Sequence, residues 1–262
     1  MFYLVLFCLF ILGLIIGSFL NVVILRWNTG WSISRGRSKC FSCGKTLSWY
    51  ELIPLFSFLI QKRKCRGCES KISWQYPTVE LATGILLPAT FMMSGEYLSV
   101  FFLTAVAVCL YIVMFVYDMR HKIIPDFFSY SVALIALLII ALEWYFLGFI
   151  DLGKIIAGPI LFLFFYFFWF VSRGKWMGLG DAKLALSIGW ILGLWQGIAA
   201  ILLSFWIGAV IALIVMLFQK LCNKKGLGMK SEIPFGPFIL IGFALSFFFQ
   251  IDIQSILSYL AV

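Results

Sequence analysis

Long uninterrupted apolar runs, separated by short polar segments, dominate this chain. The first extends from Phe2 to Leu25 with only Ser18 and Asn21 as clear polar interruptions. At 1.5 Å per residue it is long enough to cross a hydrocarbon core of about 30 Å. Seven further runs lie near 77–95, 98–117, 127–148, 154–172, 182–195, 197–219 and 235–251. None alternates with a period of two, and lipid admits backbone only in helices or closed barrels, so all eight are predicted to be helices. The run at 182–195 is short for a spanning helix, which leaves seven spans plus a re-entrant segment as the alternative to eight. The fold class that follows is an all-α polytopic membrane protein of about eight transmembrane helices. Its expected parts are a first transmembrane helix at 1–25, a polar insert at 26–76, and a helical bundle at 77–262.

Composition agrees. The chain is 63% hydrophobic with a mean hydropathy of +1.07, and 12% of its residues are charged, against about 25% in soluble domains. The first run lacks a basic leading segment and ends on Arg26 rather than on small residues, so it is expected to persist as a helix rather than be removed as a signal peptide. The net charge of +9 does not point to nucleic acid, because the basic residues lie between apolar runs rather than on one folded surface. With the N-terminus outside, the segments 26–76, 118–126, 173–183 and 219–234 face the cytoplasm. They carry 19 of the 20 Lys and Arg residues, leaving Lys154 outside. The positive-inside rule therefore fixes this orientation, and the same segments face anionic lipid. The outer loops, around Gly95-Glu96, Gly148 to Gly153 and Leu194 to Gly197, are too small for a binding domain, so chemistry is expected on the cytoplasmic side.

The insert holds two C-x-x-C pairs, Cys40/Cys43 and Cys65/Cys68, with 21 residues between them. Four thiolates on two knuckles suit a closed tetrahedral Zn2+ site, structural rather than catalytic. Gly44 and Gly67 suit tight knuckle turns, and Lys39, Lys45, Lys64 and Arg66 offset thiolate charge. Two disulfides, or a redox pair, are the alternative, but the orientation places the insert in a reducing compartment. Zinc would fold a segment too small for its own core. Cys8, Cys109 and Cys222 have no partner at ligand spacing; the first two lie in apolar runs and read as small hydrophobes.

Acids at a membrane rim mark function. Asp118 ends the run closing on Met114-Phe115-Val116-Tyr117, and Ile124-Pro125-Asp126 opens the next, with Pro125 suited to a first helical turn. Asp181 follows Gly178-Leu179-Gly180 and opens another run. The topology places Asp118 and Asp181 at one membrane face. Asp126 and Asp181 also suit helix caps, whereas an acid at a helix C-terminus, such as Asp118, opposes the helix dipole. Two carboxylates in close approach share a proton and serve as general base and general acid on a peptide carbonyl. No G-x-S-x-G or H-E-x-x-H is present. His121 is the only histidine and reads as a loop residue. A transporter would place ionisable groups near mid-membrane in several spans; only Glu143 approaches this, toward the outer end of its run.

These residues together resemble the type IV prepilin peptidase family of GxGD-type aspartic peptidases. Gly17 to Arg26 is similar to the family's first-span signature, and the two cysteine pairs to its zinc-type insert. Tyr50 to Ser57 and Ile72 to Glu80 also fit, with Gln75 where the family often has Arg. Asp118 lies eight residues before the Asp of Ile124-Pro125-Asp126, and Gly178 to Asp181 matches G-x-G-D. The resemblance implies a bacterial inner-membrane enzyme of pilus assembly or type II secretion. Such an enzyme cleaves a prepilin or pseudopilin leader after a glycine at the cytoplasmic membrane face. It then methylates the new N-terminal residue with S-adenosylmethionine. Asp118 and Asp181 would be catalytic, with Gly178, Gly180, Pro125 and Asp126 as supporting motif. Glu51 and Glu80 are candidates to hold the substrate amine or methyl donor, with helix-start or ion-pair roles as the alternative. Asn21 reads as an interhelical hydrogen-bonding residue. A peptidase without methylation, and a non-enzymatic scaffold with a zinc-ribbon insert, are the competing readings.

Overall fold

Each apolar run becomes a helix. The computed structural model describes residues 1–94, 97–149, 151–221 and 234–254. Eight helices coincide with the eight runs: α1 (Phe2–Arg26), α3 (Gln75–Met93), α4 (Leu98–His121), α5 (Asp126–Leu147), α6 (Leu152–Ser172), α7 (Leu179–Leu192), α8 (Leu194–Leu221) and α9 (Gly236–Phe249). The short α2 (Phe56–Ile60) lies in the insert. Among the described residues five helices, α1, α4, α5, α6 and α8, are long and apolar enough to cross a membrane. α7 and α9, with 14 residues each, extend only about 21 Å. The eight runs are thus all helical, and five meet the length and apolarity of a span.

The helix ends follow from local chemistry. Pro125 has φ −67° and precedes the first turn of α5. Asp151 caps α6 by accepting from the amides of Gly153 and Lys154. Gly193, at φ +80°, separates α7 from α8 within a single residue, so the outer loop expected at Leu194 to Gly197 is instead the first turn of α8. The loop at Gly95-Glu96, Cys222 and most of the basic segment after it lie outside the described residues.

The chain forms two compact units. The first comprises residues 1–101 and 108–113. In it α1 and α3 pack antiparallel through small residues, as membrane helices do without a hydrophobic driving force. A Cβ added at Gly13 would lie 2.6 Å from the Thr83 carbonyl oxygen, and one at Gly17 2.7 Å from the Glu80 Cα. Asn21 clamps the pair near the end of α1 and the start of α3. Its Nδ2 donates to the carbonyls of Gly17 and Tyr76, and its Oδ1 accepts from Gln75 Nε2, each at 3.2 Å. The expected packing role of Asn21 is therefore the observed one.

The second unit comprises residues 102–107 and 114–262. α7 is its central helix, packing on α5, α6, α8 and α9. Gly189 brings α7 against the backbone of Ala157 and Gly158 on α6, and Trp190 Nε1 donates to the Ile155 carbonyl at 3.1 Å. Phe165 of α6, Phe205 of α8 and Phe235 before α9 form a ring cluster with centroids 4.9–6.3 Å apart. Glu143 of α5 pairs with Lys154 at 2.6 Å.

The α1–α3 contact leaves no space for a side chain at Gly17. Gly17→Ala is expected to lower stability by about 1–3 kcal/mol through overpacking. Thermal unfolding of the detergent-solubilised protein measures this, and an unchanged midpoint contradicts the packing.

Candidate active site and metal centre

Asp118 lies in the last turn of α4 and Asp181 in the first turn of α7. Both are buried, with 4% and 6% exposure, although both stand beside polar connecting segments. Asp181 Oδ2 accepts from the Gly178 amide at 3.3 Å, and the Asp181 amide in turn donates to the Gly178 carbonyl at 3.2 Å. Asp181 therefore ties down the helix start from its third position rather than from the cap position of the alternative reading. Asp118 accepts a hydrogen bond from the backbone N–H of Gly236. The two carboxylates lie within each other's electrostatic reach. Neither forms an ion pair among the described residues.

Ile124 joins the two halves of this arrangement. A Cβ built at Gly180 would lie 3.0 Å from Ile124 Cβ, and one built at Gly236 3.0 Å from Ile124 Cδ1. One side chain thus packs against the glycine beside each acid. Asp126, at the first position of α5, does not join the pair. It forms a 2.6 Å ion pair with Lys183 Nζ, which also lies 5.0 Å from the Tyr130 ring centroid. This ties the start of α5 to the start of α7 two residues beyond Asp181. His121 ends α4 with its ring 4.4 Å from that of Tyr117.

Sequence reasoning passed over Gly236 and Lys183. Gly236 carried one signal, the Gly-Pro step that opens α9 with Pro237 in its first turn. The helix dipole opposes an acid at the end of α4, and the amide at the start of α9 answers that. The fit is tight: a Cβ at Gly236 would stand 2.5 Å from Asp118 Oδ2. The neighbouring Phe235 ring, held between Phe165 and Phe205, fixes this approach.

In the insert, the Sγ atoms of Cys40, Cys43, Cys65 and Cys68 all lie within 4.8 Å of one another and could hold a metal ion. The two knuckles are built alike. Lys39 bridges to Thr46 and Lys64 to Lys71. Cys40 exchanges backbone hydrogen bonds with Lys45 and Gly44, and Cys65 with Ser70 and Glu69, each at 2.9 Å. The left-handed residue is Gly44 (φ +72°) in the first knuckle and Glu69 (φ +56°) in the second. Gly67 thus does not make the turn expected of it; a Cβ there would meet Lys45 Cδ at 3.1 Å, so its small size admits the other knuckle. The Cys43 amide brings the Cys40 thiol down to about 6. Cys43 stays high, at about 11: the Lys45 amide lowers it, but the neighbouring Cys68 sulfur and burial raise it. Cys8, on an exposed face of α1, and Cys109, half-buried on α4, are free.

Glu51 and Glu80 are both buried and internally engaged. Glu51 accepts from the Ser48 amide at 2.9 Å and pairs with Lys45 at 3.0 Å, and these partners hold its carboxyl below the usual range. Glu80 accepts from the Leu55 amide at 2.8 Å and from the Ser18 side chain.

Apolar helices long enough to span a membrane, with two acids buried among them, define a multi-pass membrane protein. Residues 11–94 match the model of the bacterial peptidase A24 N-terminal domain and residues 105–213 that of the type IV leader peptidase family. The chain belongs to the type IV leader peptidase family. It is 34% identical over 251 residues to a prepilin leader peptidase/N-methyltransferase of Bacillus subtilis (strain 168), covering 94% of this chain and 95% of that one. It is 31% identical over 258 residues to one of Vibrio cholerae, covering 94% and 96%. To one of Myxococcus xanthus it is 37% identical over 218 residues, covering 80% and 62%. No solved structure matches.

Gly236→Ala places a methyl group against the Asp118 carboxylate; with Asp118 read as a reacting group, it is expected to reduce peptidase turnover at least about tenfold, the cost of misplacing such a group. Kinetics on a prepilin substrate, with thermal unfolding as a folding control, measures this; wild-type turnover contradicts the contact.

Proposed function

We propose that this chain is a membrane-embedded aspartic endopeptidase. It removes the leader of type IV prepilins or pseudopilins after a glycine, at the cytoplasmic face of a bacterial inner membrane. The observation that carries this reading is the Asp118–Asp181 pair: two buried acids in mutual reach, each tied to a glycine amide, in a chain of this family. A prepilin presents its basic leader to the cytoplasm and its apolar helix to the bilayer. Its scissile bond therefore lies at the inner rim, where the positive-inside orientation sets the cytoplasmic ends of α4 and α7.

The chemistry needs only the pair and water. Two neighbouring carboxylates hold one proton between them and titrate as a unit. The ionised member takes a proton from water as its oxygen bonds to the peptide carbonyl carbon, and the protonated member gives its proton to the carbonyl oxygen. Collapse of the tetrahedral species breaks the C–N bond: the leaving nitrogen takes up the proton gained from water, and the carboxylate that protonated the carbonyl oxygen takes a hydroxyl proton back as the C=O bond reforms, which restores the pair with one proton. The Gly178 and Gly236 amides hold the two carboxylates in place, and the Lys183–Asp126 pair holds the α7 start from outside.

The cysteine cluster fits a structural zinc ion. Zn–S bonds of about 2.3 Å set tetrahedral S···S separations of about 3.8 Å, and Cys40 and Cys68 stand 3.8 Å apart. The ion would compensate four thiolates that do not ionise together on their own. The name shared by the relatives also implies methylation, in which S-adenosylmethionine supplies a methyl group to the new N-terminal amine. Glu51 and Glu80 each accept internal hydrogen bonds that give them a structural role, and we route no methyl transfer through them. This engagement favours, as the second reading, a peptidase in which the insert only orients substrate.

Asp118→Asn and Asp181→Asn should each reduce cleavage of a co-expressed prepilin at least about a thousandfold while membrane insertion persists. Mass spectrometry of the prepilin reports the cut site and any added methyl group. Normal cleavage by either variant rejects the pair, and cleavage without methylation selects the second reading.

Purified protein should carry one zinc per chain, and Cys43→Ser or Cys68→Ser should lose it. Because binding displaces thiol protons, a chelator should strip the metal more readily at acidic than at neutral pH. Elemental analysis checks both, and a metal-free wild-type protein removes the zinc assignment.

A further inference from the structure

The insert is not uniformly polar. Residues 52–60 read Leu-Ile-Pro-Leu-Phe-Ser-Phe-Leu-Ile, and no acid occurs between Leu52 and Cys68. Within α2, Phe58 turns inward, with its ring 5.0 Å from that of Trp74. The opposite face is bare: Phe56 is 62% exposed, and Leu59 and Ile60 are 69% exposed. Their i, i+3, i+4 spacing puts these three on one side of the helix. Leu52 and Ile53 are exposed just before it. Such a patch in water is a liability that a soluble segment avoids.

The level of this patch along α1 decides what covers it. The Leu55 amide donates to Glu80 Oε2 at 2.8 Å. Glu80 packs its Cα against Gly17 and accepts from Ser18. Ser18 lies eight residues before Arg26, the basic end of α1, which is about 12 Å along a helix. The backbone at Leu55 is therefore tethered well below the polar end of a helix that crosses the membrane. Leu55 itself sits at φ +60° and ψ −51°, a positive-φ conformation uncommon for a residue other than glycine, and its hydrogen bond to a buried carboxylate holds the turn there. Immediately after α2 come Lys62, Arg63 and Lys64. Arg63 is folded back, donating to the Ile72 carbonyl at 3.1 Å, while Lys62 and Lys64 are exposed.

We propose that residues 52–60 form an interfacial turn and helix whose Phe56, Leu59 and Ile60 face enters the acyl region of the cytoplasmic leaflet, with Lys62 and Lys64 on anionic lipid headgroups. The insert is then docked on the bilayer as well as held together by its thiol cluster. Apolar burial and basic charge are the two signals of stable peripheral anchoring. This inference rests on α1 crossing the membrane and stands independently of the peptidase reading.

The test uses the full chain in phosphatidylethanolamine/phosphatidylglycerol vesicles, with a genetically encoded spin label at Leu59 and, separately, at Glu69. Zinc content and thermal unfolding serve as folding controls. The expected result at Leu59 is relaxation by oxygen and exclusion of a water-soluble nickel reagent, with the reverse at Glu69. Equal nickel access at the two positions overturns the proposal. So does protection of Leu59 from both reagents, which would mean a protein cover, or protection that develops only on adding a prepilin, which would make the face a substrate dock. Replacing Lys62 and Lys64 with Gln should raise nickel access at Leu59 in the anionic vesicles and not in phosphatidylcholine; no change in the anionic vesicles overturns the headgroup contact.

Discussion

A carboxylate taken out of water without a cation must find donors inside the protein, and that constraint organises both units of this chain. Asp181 takes the amide of Gly178, Asp118 that of Gly236, and Glu80 that of Leu55. In each case the donor is a backbone group at a helix start or a turn, a position where main-chain N–H groups lack intrahelical partners. The acids and the chain breaks therefore solve each other's problem. Asp126, paired with Lys183, stays partly in water with its side chain 66% exposed, whereas Glu51 is buried with both a cation, Lys45, and the Ser48 amide.

The buried acids also explain where glycine is placed. An amide reaches a carboxylate only if its own residue presents no side chain in the way, and at Gly236 a Cβ would collide with Asp118. Gly180 makes room for Ile124, which reaches from the chain before α5 to both glycines. Four segments, the ends of α4 and the starts of α5, α7 and α9, meet around two carboxylates through contacts that tolerate no larger residue. An arrangement this crowded positions the acids without relying on charge pairs, whose net contribution at a partly wet rim is small.

Much of this was legible in the sequence, and the misses share a cause. Apolar run length located the eight long helices among the described residues, five of which could span a membrane, because a continuous run of this length has few alternatives in lipid. The spacing of Cys40, Cys43, Cys65 and Cys68 anticipated their clustering, since knuckle geometry is local. Asp118 and Asp181 stood out because acids at the ends of apolar runs are rare. Gly236 did not stand out, because its role is defined by Asp118, more than a hundred residues away in sequence, and a glycine before proline reads equally well as an ordinary helix start. Likewise, Gly67 read as a turn residue from its place between two cysteines, whereas its small size serves the facing knuckle and the left-handed turn falls on Glu69.

The insert shows how the same constraint carries beyond the acid pair. By polarity alone, residues 26–76 form one cytoplasmic segment, and a nine-residue apolar stretch inside it has no evident purpose. Glu80 supplies one. An acid one turn and more into α3 has to be satisfied at its own depth, and the donor that satisfies it is the amide of Leu55, so the stretch that follows Leu55 is drawn down to that level. Once there, an apolar face is the inexpensive choice and a polar one would be costly. The sequence of residues 52–60 thus follows from the position of a single buried carboxylate on the neighbouring helix, and the hydrophobicity of α2 is a consequence of where Glu80 lies rather than of any core the insert could build for itself.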